Sequence, residues 1–281
     1  MVTKKQHYYP RTLIKHFANE DDKLYSYITM ANKIQYVNYQ NVCAENYTYE
    51  GSSGVDNILE NKLSLLEDKL APIIEKILTK IRIRNNEICF NITKSEVNFL
   101  YQYMWLQFIR TDAGRINFIR NLNNIKYTGR KYPIKLEEIK ECKKREILEF
   151  NDRFKQEGVL EAFLKFFKKP DFMNFHIVVG ENFITSDNPV VLLDSGGQMY
   201  MPISKNICVA FQSKEFNYSE KVVIPITPKK NRYINECQIE TANYYVLSKD
   251  KFDIYTNHYI YKRFHKINWE VESTHFNQNF N

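Results

Sequence analysis

The chain has 281 residues, with 40 Lys+Arg against 33 Asp+Glu, a formal net charge of +7 and 43% hydrophobic residues. With 26% of residues charged and no run of roughly 18 apolar residues, its composition excludes both a disordered polyelectrolyte and an α-helical membrane span. Five scattered cysteines (Cys43, Cys89, Cys142, Cys208, Cys237) without a CxxC pair, and an N-terminus without an apolar leader, lead us to expect a soluble cytoplasmic protein with no zinc cluster and no membrane partner.

Two β-rich runs open the chain, Lys23 to Thr29 and Lys33 to Val37, with a turn between them. After the Gly51-Ser52-Ser53-Gly54 loop, Leu59, Leu63, Leu66, Leu70, Ile73, Ile77 and Ile81 step by three or four residues. That spacing predicts one amphipathic helix over 56–81, with Pro72 removing a backbone donor near its middle. Thr93 and Glu96 have capping-box spacing and open a second helix through Phe99, Tyr103, Leu106 and Ile109, ending near 112–114. A charged helical pattern follows over 136–154 and an apolar one over 158–167.

Beyond Lys169-Pro170 the period shortens. Runs at 174–179, 183–185, 190–193, 199–203, 207–211 and 221–224 predict a small, mainly antiparallel sheet. Helical spacing returns over 231–247, and 254–261 has strand character. The fold class expected is α+β: a helical middle flanked by a small antiparallel sheet that the N-terminal strands would join. One unit is expected over 1–281, made of a β-containing segment (1–50), a helical region (55–168) and a β-rich region (172–265).

Charge is unevenly placed. Between Arg120 and Leu148 there are nine basic residues and four acidic ones. Lys131, Lys143 and Lys144 lie in this strip, beside Tyr127 and Tyr132, where they would track a phosphate backbone; a solvated helix face explains the same pattern. No P-loop, GxGxxG, HExxH or GxSxG is present, and the strand after Asp187 lacks the Glu-x-Lys of a PD-(D/E)xK nuclease.

The opening Gln6-His7-Tyr8-Tyr9-Pro10-Arg11-Thr12-Leu13, then Leu106-Gln107-Phe108-Ile109-Arg110-Thr111, then Phe183-Ile184-Thr185-Ser186-Asp187-Asn188-Pro189-Val190, and finally Ile234-Asn235 with Ala242 occur in this order. Together they resemble a bacterial family called domain of unknown function 4238. Pro202-Ile203-Ser204 is similar to a Pro-Leu-Ser strand of that family, and Glu67 stands where the family tends to carry an acid on its long helix. This chain departs by having Asp112 where the family usually has Pro. The resemblance spans nearly the whole chain and carries no activity with it.

The residues themselves hold chemistry that needs placing. His7 is able to move a proton or bind a metal, and equally to serve as a structural hydrogen bonder. Gln107 and Arg110 share a helix face and would grip a phosphate or carboxylate, unless Arg110 pairs with a core acid such as Glu67 or Asp187. Glu60 and Glu67 border the apolar stripe, where a carboxylate must be paired, hydrogen-bonded or metal-bound. Asp187 and Asn188 follow a short strand, as turn formers or as cleft residues, with Asp187 expected to meet His7.

Two functions follow as expectations. One is an enzyme on phosphodiesters or nucleotides, a nuclease-type effector fitting phage defence. It would use His7, Arg110 and Asp187 catalytically, Glu67 and Asp187 on Mg²⁺ or Mn²⁺, and Gln107, Asn188, Lys131, Lys143 and Lys144 on substrate. The other is a non-catalytic ligand-binding or sensor module, or an interaction subunit of a larger complex, in which these residues form a structural polar network. The corresponding partners are nucleic acid, a nucleotide or another protein.

Overall fold

In a computed structural model of the chain, residues 4–84, 87–123, 136–215 and 221–265 are described. Strand β1 (Lys5–His7) runs through Pro10 into the short helix α1 (Arg11–Ile14), whose Leu13 and Ile14 are buried. The two expected strands form the hairpin β2 (Lys23–Ile28) and β3 (Lys33–Asn38), with Asn32 at positive φ in its turn. β4 (Ala44–Asn46) returns antiparallel to β1.

The leucine periodicity produces α2 (Ile58–Lys80), with Leu59, Leu63, Leu70, Ile74 and Ile77 buried and Pro72 inside the helix. Two short strands, β5 (Arg82–Arg84) and β6 (Glu87–Cys89), pair before the next helix. α3 (Lys94–Arg110) starts at the predicted capping box, in which Thr93 and Glu96 satisfy each other's backbone N–H.

α3 ends at Arg110, a few residues before the predicted end, because a new helix starts there. Thr111 is extended and its Oγ1 accepts the N–H of Gly114, which caps α4 (Asp112–Asn123). Asp112 is therefore the first residue of α4, a position that suits proline and, through the helix dipole, an acid. The departure from the family pattern thus fits the same corner. Gly114 has no room for a side chain: a Cβ there would collide with the Phe108 carbonyl and the Ile109 backbone.

The charged pattern over 136–154 forms α5 (Leu136–Cys142), a π-helical turn (Lys143–Ile147) and α6 (Leu148–Lys155). The apolar pattern forms α7 (Val159–Phe166). The β-rich region supplies β7 (Met173–Val179), β8 (Thr185–Ser186), β9 (Val191–Leu193), β10 (Gln198–Ser204), β11 (Ile207–Ser213) and β12 (Val223–Pro225). Five of them form a sheet in the order β12-β7-β11-β10-β9, antiparallel except for the β12–β7 pair. Helical spacing over the first part of 231–247 becomes α8 (Pro228–Thr241), followed by β13 (Tyr245–Ser248).

β13 pairs with β2 on one side and β8 on the other, giving a second sheet in the order β3-β2-β13-β8. The N-terminal hairpin thus joins C-terminal strands, and the fold is α+β. The strand expected at 254–261 is instead part of α9 (Ile254–Phe264). Its β-branched and aromatic residues favour strand locally, but Asp253 accepts the Thr256 N–H at 2.6 Å as an N-cap. One hydrophobic cluster runs from Tyr9 and Phe17 through the faces of α2 and α3 to Phe175, Met199 and Phe211 of the five-stranded sheet. Among the described residues, no helix is long and apolar enough to cross a membrane.

Candidate functional site

The last turn of α3 carries Gln107 and Arg110 against the N-terminal segment, and both are almost fully buried. Arg110 Nη1 donates to Glu67 Oε1 at 2.8 Å and to the Tyr103 hydroxyl at 3.4 Å. Its Nε donates to the Tyr49 hydroxyl at 2.9 Å and its Nη2 to the His7 backbone carbonyl at 2.9 Å. Burial opposes a charge there, but the surrounding Tyr49, Glu67 and Tyr103 oxygens hold the guanidinium charged. Gln107 Nε2 donates to the Tyr8 carbonyl at 2.9 Å. Neither side chain is free to grip a substrate phosphate, which corrects that expectation: their donors fasten β1 and its extension to α2 and α3. Gln6 completes the fastening, since its fully buried amide donates to Glu50 and Asn57 and accepts the Tyr49 N–H.

Around this network stand groups that retain chemistry. His7 is half-buried, with Nε2 at 3.2 Å from the Gln40 carbonyl. A ring nitrogen facing a carbonyl must donate, so Nε2 carries the proton and Nδ1 keeps its lone pair. Burial, with Arg11, Lys5 and Arg110 nearby, pushes the His7 pKa down to about 4, against the Gln40 bond. The ring is a neutral base at pH 7.

Glu60, two turns before Glu67 on the same face of α2, is half-buried and its carboxyl accepts no hydrogen bond among the described residues. Burial pushes its pKa up to about 7, with Glu67 and Glu50 adding repulsion and Arg110 and Arg11 opposing it. Glu67, whose side chain is 19% exposed, is ion-paired to Arg110. Arg11 is exposed at the start of α1 and acts electrostatically on both His7 and Glu60. The neutral His7 imidazole of β1 and the Glu60 carboxyl of α2, which titrates near neutrality, thus both lie in the field of Arg110 and of the exposed Arg11 guanidinium.

Asp187 belongs to a different construction. Its Oδ1 accepts the backbone N–H groups of Asn243 at 3.0 Å, Tyr244 at 2.9 Å and Tyr245 at 2.9 Å, and its Oδ2 accepts Asn188 Nδ2 at 3.0 Å. Burial pushes its carboxyl up to about 6 against the pull of these donors. Asn188 in turn accepts the Thr111 hydroxyl at 2.6 Å and donates to the Thr241 carbonyl at 2.8 Å. The pair ties the α3–α4 corner and the entry to β13 together. Asp187 does not orient His7, because long-range backbone N–H donors claim its carboxylate, and Asn188 is spent on the Thr111 hydroxyl, the Thr241 carbonyl and Asp187 itself; both expectations are corrected.

The expected metal pair is likewise not assembled. Glu67 is held by Arg110, Asp187 by N–H donors, and among the described residues no group of three or more His, Cys, Asp or Glu side chains stands at metal-binding spacing. In the basic strip, Lys143 is bound to Glu45 at 2.5 Å, Arg120 to Glu138 at 2.7 Å and Arg145 to Glu146 at 2.7 Å. Lys144 is exposed, while Lys131, with Tyr127 and Tyr132, lies outside the described residues. Acidic partners thus neutralise much of the strip that is described.

Sequence reasoning missed a second buried cation. Arg115 is fully buried and donates to the Thr48 carbonyl at 2.5 Å, to Asn151 at 3.1 Å and to Asp112 at 2.6 Å, while Asp112 also accepts the Tyr244 hydroxyl at 2.7 Å. Its i,i+3 spacing from Asp112 was the available signal.

The sequence profile of the family described as "Protein of unknown function (DUF4238)" matches residues 5–252. The chain belongs to this family. No curated protein and no solved structure matches it. The span matched in this DUF4238 chain begins in β1 and includes the Arg110 network, the Glu60 edge and Asp187, and it stops before α9.

Proposed function

We propose that the edge formed by His7, Glu60 and Arg11 is the active site of an enzyme acting on phosphodiesters or nucleotides. The observation that carries this reading is Glu60: a half-buried carboxyl without a hydrogen-bond partner among the described residues, with its pKa pushed up by burial to about 7 in the field of Arg110 and Arg11, the two guanidiniums that also act on neutral His7. General acid–base catalysis is most efficient when the catalytic pKa lies near the working pH. Environments that separate the pKa values of neighbouring groups assign their roles. The protonated Glu60 would deliver a proton to the leaving oxygen, and Arg11 would balance phosphate charge. His7 Nδ1, too weak a base at a pKa of about 4 to hold a proton at pH 7, would accept a hydrogen bond that orients the attacking hydroxyl or water, whose proton passes to solvent. The Arg110–Glu67 pair acts here as positioning framework, holding the His7 backbone and the α2 face in register. A nuclease of this kind would fit an effector in phage defence.

A specific observation favours the alternative, a non-catalytic binding or sensor module: Arg110, Gln107, Asp187 and Asn188 all spend hydrogen bonds on protein groups, as a structural network does. One experiment separates the readings. The purified protein and its Glu60→Gln and His7→Ala variants are incubated with DNA, RNA and tRNA, with and without Mg²⁺ or Mn²⁺. The enzyme reading expects cleavage by the wild type, a loss of about 10²-fold or more in each variant, and unchanged folding. Absence of cleavage in every condition, with all three proteins folded, selects the binding module.

A further inference from the structure

The sheet face under α8 is mostly apolar, where Val178, Phe183, Cys208, Ala210 and Ile234 form one buried cluster with Tyr200. Beneath the first turn of α8 the composition changes. Gln198 of β10 and Gln212 of β11 are cross-strand partners and both are buried. The Tyr200 hydroxyl donates to Gln198 Oε1 at 2.7 Å, and Gln212 Nε2 donates to the same oxygen at 3.3 Å and contacts the Tyr200 hydroxyl. Gln198 Nε2 also donates to the Asp194 carboxylate, so the two amides, costly to bury on a face that elsewhere takes apolar side chains, are satisfied by each other, by Tyr200 and by that acid.

Lys230 stands above them. Its Nζ is 3.3 Å from Gln198 Oε1 and lies over the rings of Tyr200 and Tyr233 at 5.3 and 5.2 Å. It forms no ion pair among the described residues. The ammonium therefore spends one N–H on a neutral acceptor and keeps two. Between Lys230 and the sheet is a cavity of about 230 Å³, walled by Val178, Ile224 and Ile226 and floored by Gln198, Tyr200 and Gln212. Lys230 is also the third residue of α8, whose Thr227 cap accepts the Lys230 backbone N–H at 3.3 Å, so the positive end of the helix dipole lies beside the cavity.

We propose that this cavity is a second, anion-binding site that takes a small oxyanion, phosphate or carboxylate, on Lys230 Nζ. The apolar walls lower the local dielectric and strengthen the attraction of the unpaired ammonium for an anion. The two aromatic faces and Gln198 hold the ammonium in place, while the Asp194 carboxylate, whose charge acts on both Tyr200 and Tyr233, is engaged by Gln198 and forms no ion pair with Lys230. The volume admits such an anion together with a few waters at about 30 Å³ each. The site is independent of the Glu60 reading, since it shares no residue with it.

The test is titration of the wild type, Lys230→Met, Lys230→Arg and Arg11→Ala with inorganic phosphate and separately with acetate, at constant ionic strength in chloride, followed by amide NMR shifts. Lys230 is half-buried on a surface helix, so Met keeps its stem and Arg keeps its charge. The expected result is a saturable response of the residues around Gln198 and Gln212. It should weaken at least tenfold in Lys230→Met, persist in Lys230→Arg and be unchanged in Arg11→Ala. Saturation by phosphate alone or by acetate alone identifies the source of the oxyanion. The proposal is overturned if neither anion gives a saturable response at these residues, or if Lys230→Met binds as the wild type does.

Discussion

Replacing Glu60 by Gln should stabilise the protein above neutral pH, and the size of the effect follows from the structure. Glu60 titrates at about 7 in the folded state against an ordinary 4.5, because burial and the neighbouring Glu67 and Glu50 disfavour its charge. A folded pKa raised above the unfolded one means that the folded state holds the proton more tightly. The associated stability is present in full below pH 4.5 and is lost as pH rises through 7. Each pKa unit corresponds to about 1.4 kcal/mol, giving an upper limit near 3 kcal/mol; solvent reaching the half-buried carboxyl reduces this to roughly 1–2 kcal/mol. Gln is nearly isosteric and does not ionise, so the variant escapes the loss. Thermal unfolding of both proteins by circular dichroism from pH 4.5 to 8.5 should give similar melting temperatures at the acid end. At pH 8 the variant should melt higher by a few degrees. Taking the difference between the two proteins cancels the opposite trend of His7 and His16, whose lowered pKa values remove stability as pH falls toward 4. A variant curve parallel to the wild type over the whole range would refute the argument that Glu60 carries a strained charge.

Arg110→Met should cost about 3 kcal/mol in urea unfolding, because it strands the Glu67 carboxylate and frees the His7 carbonyl and Tyr49 hydroxyl; a loss below 1 kcal/mol would mean the network is dispensable. Asp187→Ala should lower the denaturation midpoint by at least about 3 kcal/mol equivalent, since three consecutive backbone N–H groups lose their acceptor, and hydrogen exchange at Asn243, Tyr244 and Tyr245 should accelerate. Protection unchanged at those amides would contradict the assigned role. Thr93→Ala should cost about 1 kcal/mol through loss of the α3 capping box, and an unaltered melting curve would count against it.

Local signals in the sequence carried most of the fold. The leucine spacing of α2, the Thr93–Glu96 box of α3 and the β2–β3 hairpin each depend on residues a few positions apart, and each lies where its pattern indicates. The strand character of 254–261 failed because intrinsic preference for Ile, Tyr and Thr is weak, and a single cap at Asp253 together with packing of α9 on α8 outweighs it. The site was harder. Arg110 with Glu67 was one of two alternatives visible in the sequence, and only the fold selects it. The partners of Asp187 Oδ1 lie more than fifty positions away and are backbone groups, which no side-chain pattern reveals. His7 serves the network through its carbonyl, a role to which residue identity is blind. Glu60 was visible as an acid at the border of an apolar stripe, but its burial, its lack of a hydrogen-bond partner among the described residues and the charges of Arg110, Glu67, Glu50 and Arg11 around it depend on the tertiary fold.

The measurement that bears most directly on the account is the pH dependence of phosphodiester cleavage, read as kcat/KM on RNA from pH 5 to 9 for the wild type and Glu60→Gln. Glu60 acting as the proton donor predicts a wild-type rate that falls above an apparent pKa near 7, and a variant at least about a hundredfold slower that has lost this limb. Equal rates with the same profile in both proteins, or no cleavage by the folded wild type at any pH, would contradict it.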